Sequence, residues 1–101
     1  MMNPTLHFSA PLWLWQGKGA WHFLTLPKEM AEEIRFFHPL AKGFMPIPVE
    51  ASIGGSTWKT SIFPDSKRGT FLLAVKADVR KREKLAAGSE ATVSLRVLGL
   101  G

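Results

Sequence analysis

Four cations crowd one short predicted helix: Arg80, Lys81, Arg82 and Lys84, within "KADVRKREKL". Lys67 and Arg68 stand in the turn before the preceding strand, and Lys59 lies on the strand before that. Phosphate binding needs several such charges on one surface. Arg80 and Lys84 share a helix face at i, i+4, and Lys81 and Lys84 at i, i+3. Residues 1–50 carry four basic and four acidic side chains, residues 51–101 nine and four, so the net +5 lies wholly in the second half. Such an excess points to an anionic partner, nucleic acid among them. Solubility is the plainer use of the same charge. The second candidate chemistry is aromatic. Trp13, Trp15, Trp21 and Trp58 are able to line a pocket at a barrel mouth, although a domain this small uses most of its large rings as core.

Other chemistries find no pattern. His7, His22 and His38 show no H-x-x-x-H spacing, and cysteine is absent, so no metal site is expected. His38 reads as a helix C-terminal residue. There is no G-x-S-x-G, and the hydroxyls of Ser56, Thr57, Thr60 and Ser61 sit on a strand without an oriented base. Glu29, Glu32 and Glu33 form a solvated helix face. "SIGGST" joins two strands, whereas a phosphate loop joins a strand to a helix. Neither a cofactor nor catalysis is expected.

The elements follow from spacing. With 46% hydrophobic and 21% charged residues, the chain is globular rather than disordered. Its start lacks a basic region followed by an apolar run, so no signal peptide is expected. No apolar run reaches the roughly 18–20 residues of a membrane span. The cytoplasm is the expected location.

"LHFSAPLWLWQ" reads as a strand with an edge or bulge at Pro11. "QGKGA" is a hairpin turn and "AWHFLTL" the return strand. A helix follows, with Thr25 as its cap, Pro27 in its first turn, a stripe of Met30, Ile34 and Phe37, and Pro39 as its stop. "PVEASI" points Val49, Ala51 and Ile53 to one side. Gly54-Gly55 turns the chain into "STWKTSIF", where Trp58, Thr60 and Ile62 share a face. "TFLLAV" reads as a strand buried on both faces. After the basic helix, Gly88 suits a left-handed turn, and "EATVSLRV" sends Ala91, Val93, Leu95 and Val97 inward.

The order is ββαβ followed by ββαβ. An offset of 49 places Leu26 on Val75, Glu29 on Asp78 and Met30 on Val79, and matches Leu24 with Leu73 and Lys18 with Lys67. Beyond the helices the offset is 44, and Ile47, Val49, Ala51 and Ile53 fall on Ala91, Val93, Leu95 and Val97. Each unit is too small to cover its own apolar face, so the two are expected to close on each other. The fold expected is all-β with two short helices, a double-split β-barrel with a pseudo-twofold axis. It is read as one domain over 1–101, with pseudo-repeat halves of about 6–53 and 56–97.

"VKADVRKREKLAAGSEATVSL" resembles the strand–helix–Gly–strand core of AbrB-type swapped-hairpin proteins, and "LPKEMAEEI" is similar to the first part of that phrase. In the AbrB type two chains each give one unit; here both lie in one chain, which implies a monomer. AbrB-type proteins bind DNA through the barrel face. Over roughly Leu6 to Val97 the chain also resembles a small bacterial family of unknown function numbered nineteen-oh-five. The matching residues are Gly55, Trp58, Phe63, Gly69, Phe71-Leu72, Val79-Arg80-Lys81, Gly88, Val93 and Leu95. The departure is Ser89, where an Asp often follows the glycine. This resemblance implies a double-split barrel and no assigned activity.

The reading is therefore a non-catalytic binding domain whose ligand the sequence leaves open. One alternative is nucleic-acid binding through the basic helix. The other is small-molecule binding, or weak catalysis, at an aromatic barrel pocket. The candidate binding residues are Lys59, Lys67, Arg68, Arg80, Lys81, Lys84 and Trp58. No membrane partner is expected.

Overall fold

The computed structural model describes residues 5–38 and 45–98. Seven strands and two helices run in the order β1 (Thr5–Pro11), β2 (Trp13–Leu14), β3 (His22–Thr25), α1 (Lys28–Phe37), β4 (Ile47–Ile53), β5 (Ser56–Asp65), β6 (Thr70–Ala74), α2 (Ala77–Arg82) and β7 (Glu90–Val97). The strands form one antiparallel sheet in the order β1-β7-β4-β5-β6-β3-β2. Its two ends, β1 and β2, are consecutive in the chain and separated only by Leu12. One bent segment thus edges both sides of a curled, barrel-like sheet. Pro11 ends β1 at that edge, where a proline costs no ladder bond. At the bend the Leu12 amide donates to the Ser89 carbonyl, and Leu12 accepts from the Gly88 amide. Gly88 has φ +95°, a backbone that glycine adopts without strain. Ser89 also accepts the Ala86 amide on its Oγ.

The pairing has a twofold pattern. Leu24 pairs with Leu73 and Ala51 with Leu95, each a residue opposite its own counterpart in the offset sequence. Exchanging counterparts turns Phe23↔Ala74 into Leu72↔Thr25, and Glu50↔Arg96 into Ser94↔Ser52, both of which are present. Unbroken β5 pairs with β4 and β6, just as β1 and β2 together pair with β7 and β3.

Strict alternation builds the core. Leu6 and Phe8 from β1, Val49 and Ala51 from β4, and Val93 and Leu95 from β7 all point inward, as period-two spacing requires. Phe71 and Leu73 of β6 are fully buried, whereas Leu72 and Ala74 are half-buried on the outer side. That strand is therefore covered on one face, not on both. Helix α1 buries Ala31 and Ile34, followed by His38, an i, i+3, i+7 stripe. Phe37 falls beside the stripe and is 52% exposed. Of the expected stripe, Ile34 is buried and Met30 is half-buried against the core. Pro27 itself is the N-cap; Thr25 instead accepts a hydrogen bond from Trp13. The helix ends at Phe37, with His38 already extended, the backbone favoured before a proline. A loop is expected over 38–48, but β4 already begins at Ile47; residues 39–44 of that loop lie outside the described residues.

The outer surface divides in two. Over β1, β7, β4 and the first half of β5 it carries hydroxyls and charges. Over the rest of β5 and β6, β3 and β2 it carries aromatic rings. No helix of the described chain is long and apolar enough to cross a membrane.

Candidate aromatic binding groove

Outward positions of four neighbouring strands converge on one groove. Trp13 pairs with Phe23 across β2 and β3, and Phe63 with Leu72 across β5 and β6. The β2–β3 hairpin adds Trp15 and Trp21, linked by a hydrogen bond from the Trp15 amide to the Trp21 carbonyl at 2.8 Å. Together these six residues line a groove of about 610 Å³, within the size range of small-ligand sites. The rings are ordered against one another. Trp21 stacks on Phe23 with centroids 6.1 Å apart and planes 8° from parallel, and Trp13 tilts onto Phe23 at 5.3 Å. The Trp13 indole N–H donates to Thr25 Oγ1 at 2.9 Å, so its polar atom is satisfied and its ring held in place.

The hairpin turn explains how large rings stay in position outside a core. The Trp15 ring lies over Gly17, where a Cβ would overlap its atoms. The Trp21 ring lies close to Gly19, whose φ is +95°. Two glycines thus leave room for two tryptophans. Trp15 is 45%, Trp21 50% and Phe63 39% exposed, so their outer faces meet solvent.

The rim is cationic. Asp65, Lys67 and Arg68 border the groove. Arg68 Nη1 meets Asp65 Oδ2 at 2.6 Å, and its guanidinium lies 5.2 Å from the Trp13 ring centroid, a cation–π arrangement. Asp65 is thereby neutralised, and Lys67 makes no ion pair among the described residues.

The other sequence candidates lie elsewhere. Trp58 is 8% exposed and belongs to the core with Ile62; it is no part of the groove. Lys59 is exposed on β5 opposite Glu50, whose carboxylate is taken by Arg96 at 3.0 Å. In α2, Arg80 donates to the Val75 carbonyl and Arg82 to Ser56 Oγ. Lys81 and Lys84 are exposed, and Lys84 has φ +56° where the helix ends. The basic residues do not form one patch. Arg82 is anchored at the start of β5 and Arg68 follows its end, a separation on the order of 30 Å along a ten-residue strand.

A family model described as "Domain of unknown function (DUF1905)" matches residues 8–95. The chain belongs to this family. It is the family that the Gly55 to Leu95 residues resemble. A search of curated proteins finds no match.

A second polar cluster in the DUF1905 chain has a structural explanation. Ser56 Oγ donates to Glu83 Oε2 at 2.6 Å and accepts from Arg82 Nε at 3.1 Å. The Glu83 carboxylate occupies the space where a Cβ on Gly54 would stand. Ser56 is only 4% exposed, and no imidazole adjoins it among these contacts. The cluster clamps the end of α2 to the β4–β5 turn. Among the described residues no group of three or more His, Asp and Glu side chains is placed to hold a metal.

Three groove residues of the DUF1905 chain escape a reading by residue type alone: Phe23, Phe63 and Leu72. Phe63 carries a signal, since it shares a strand face with Lys59 and Ser61 and is the apolar member of an otherwise polar row. Phe23 and Leu72 become visible only once β3 pairs with β6.

Proposed function

We propose that the protein is a non-catalytic binding domain and that its site is the aromatic groove. One observation carries this reading: three large rings are held half-exposed on one sheet surface, two of them over glycines of the hairpin. Exposed contiguous aromatic surface is costly in a soluble domain unless it serves recognition. The groove takes flat apolar groups between ring faces, and its cationic rim favours a negative charge on the same ligand. The basic-helix reading is weaker, because Arg80 and Arg82 are already engaged in holding α2.

The test is titration with anilinonaphthalene sulfonate, a flat anionic aromatic probe. Its fluorescence should rise on binding the native protein, and the Trp15→Ala/Trp21→Ala variant should lose that rise. A native protein that leaves the dye dark ends the groove reading.

The same proposal takes the chain as one domain with halves of about 6–53 and 56–97, each built on an AbrB-like unit. It acts as a monomer, because both units lie in one chain, and its place is the cytoplasm. Sedimentation velocity should give the mass of one chain.

A further inference from the structure

Resting on the groove as the binding site, we propose that its occupant is single-stranded nucleic acid: unpaired bases stack on Trp15, Trp21 and Phe63, and Lys67 and Lys18 neutralise neighbouring phosphates. Three observations lead there.

The first is shape. Enclosed small-molecule pockets cover most of their ligand. Here the rings are half-exposed and belong to strand and hairpin positions on the outside of the sheet, so a compact molecule would keep much of its surface in water. An extended chain laid across the strands uses the same rings one after another.

The second is the type of surface. Flat ring faces accept any base, because every base has a π-face. Trp21 and Phe23 already hold near-parallel planes, with centroids 6.1 Å apart, an orientation that a further flat ring continues. Bases inside a duplex are stacked on each other and do not reach such rings, so the single strand is the form that fits.

The third is charge complementarity. The acidic rim residue, Asp65, is consumed by Arg68. Lys67 borders the groove, Lys18 stands exposed in the hairpin turn between Trp15 and Trp21, and neither makes an ion pair among the described residues. The groove thus offers positive charge and no uncompensated carboxylate. A proline-rich peptide also suits aromatic grooves, but nothing in it calls for this excess of cations.

The experiment is fluorescence titration with an oligothymidylate of about eight nucleotides, a typical site length for such surfaces. It is run on the full chain at 50 and 200 mM salt beside a duplex of equal length and the anilinonaphthalene dye. The single strand should quench tryptophan emission and displace the dye. With about two phosphates neutralised, affinity should fall roughly sevenfold between the two salt concentrations. Trp15→Ala and Trp21→Ala should each weaken binding by about tenfold, and Lys67→Glu should flatten the salt dependence. These rings are outside the core, so circular dichroism should report an intact fold. Dye binding without any oligonucleotide binding overturns the nucleic-acid assignment and leaves the groove standing. So does displacement of the dye by a proline-rich peptide and not by the oligonucleotide. Equal affinity for duplex, or loss of binding on Lys81→Glu/Lys84→Glu with the tryptophan variants unaffected, overturns it as well. Failure of the dye and the oligonucleotide together removes the groove itself.

Discussion

The two outer surfaces of the sheet are made by the same backbone and finished in opposite ways. On β1, β7, β4 and early β5, side chains bond directly to the residue opposite: His7 to Ser94 at 3.0 Å, Ser9 to Thr92 at 2.9 Å, Ser52 to Thr57 at 2.9 Å, and Arg96 to Glu50 at 3.0 Å. These are also register partners. On β2, β3, β6 and late β5 the corresponding partners are Trp13 with Phe23 and Phe63 with Leu72. Both regions are four-stranded antiparallel ladders, so the ladder itself does not demand rings. Hydroxyls satisfy the same geometry on the other side. The fold does not require the rings; under the proposed groove they serve recognition.

Substitutions can break that contrast. The largest effect is expected at Trp13, which is both a wall of the groove and a packed ring. Trp13→Ala removes its contacts with Phe23 and Arg68 and leaves Thr25 without its donor, so a loss of about 2–4 kcal/mol is expected in urea denaturation. No loss would mean that the aromatic surface is a collection of separate side chains. Next comes the Trp15→Ala/Trp21→Ala pair. Dye affinity should fall tenfold or more while stability changes by less than about 1 kcal/mol, which separates recognition from folding within one surface. A smaller change is expected from Gly17→Ala, where the new methyl group displaces the Trp15 ring: affinity should drop a few-fold with the melting temperature nearly unaltered. The smallest is Ser9→Ala/Thr92→Ala on the polar surface, which removes an exposed hydroxyl pair together. Stability should stay within about 0.5 kcal/mol and dye binding should not move. A loss of dye binding there would mean that the polar surface carries the site.

Much of the scaffold was legible because alternation is a local signal. Val49, Ala51 and Ile53, like Val93, Leu95 and Val97, declare their buried face by spacing alone, and Pro11 and Pro39 mark the edge and the helix end. Trp58 shares parity with the buried Ile62, a local sign of an inward ring, yet it stands among the candidate binding residues. The groove was less legible. All four tryptophans suit a pocket by residue type, yet the candidate binding residues include only Trp58, which is core; the union of the other three with Phe23, Phe63 and Leu72 depends on strands some 49 residues apart in sequence coming together. The basic residues illustrate the reverse error. Lys67 and Arg68 are near α2 in sequence, yet they follow the end of β5, whereas Arg82 bonds Ser56 at its start. In α1, the ring at Phe37 satisfied the periodicity, but the sheet is met by Ala31 and Ile34, a difference of one helical position that hydrophobicity does not resolve.

The bent N-terminal segment has a bearing on how the molecule is made. Among the described strands β1 leaves the ribosome before the others, yet its partner β7 follows all of them, about 80 residues later. At usual elongation rates of about 5–20 residues per second, the opening strand waits several seconds with an unpaired edge and the Leu6 and Phe8 side chains uncovered. During that interval the nascent chain is exposed to adhesion by other strands, and the clasp at Leu12 can form only when Gly88 and Ser89 have emerged. Closure is therefore a late event in biosynthesis, and a chain halted before residue 90 presents a sheet with both borders open.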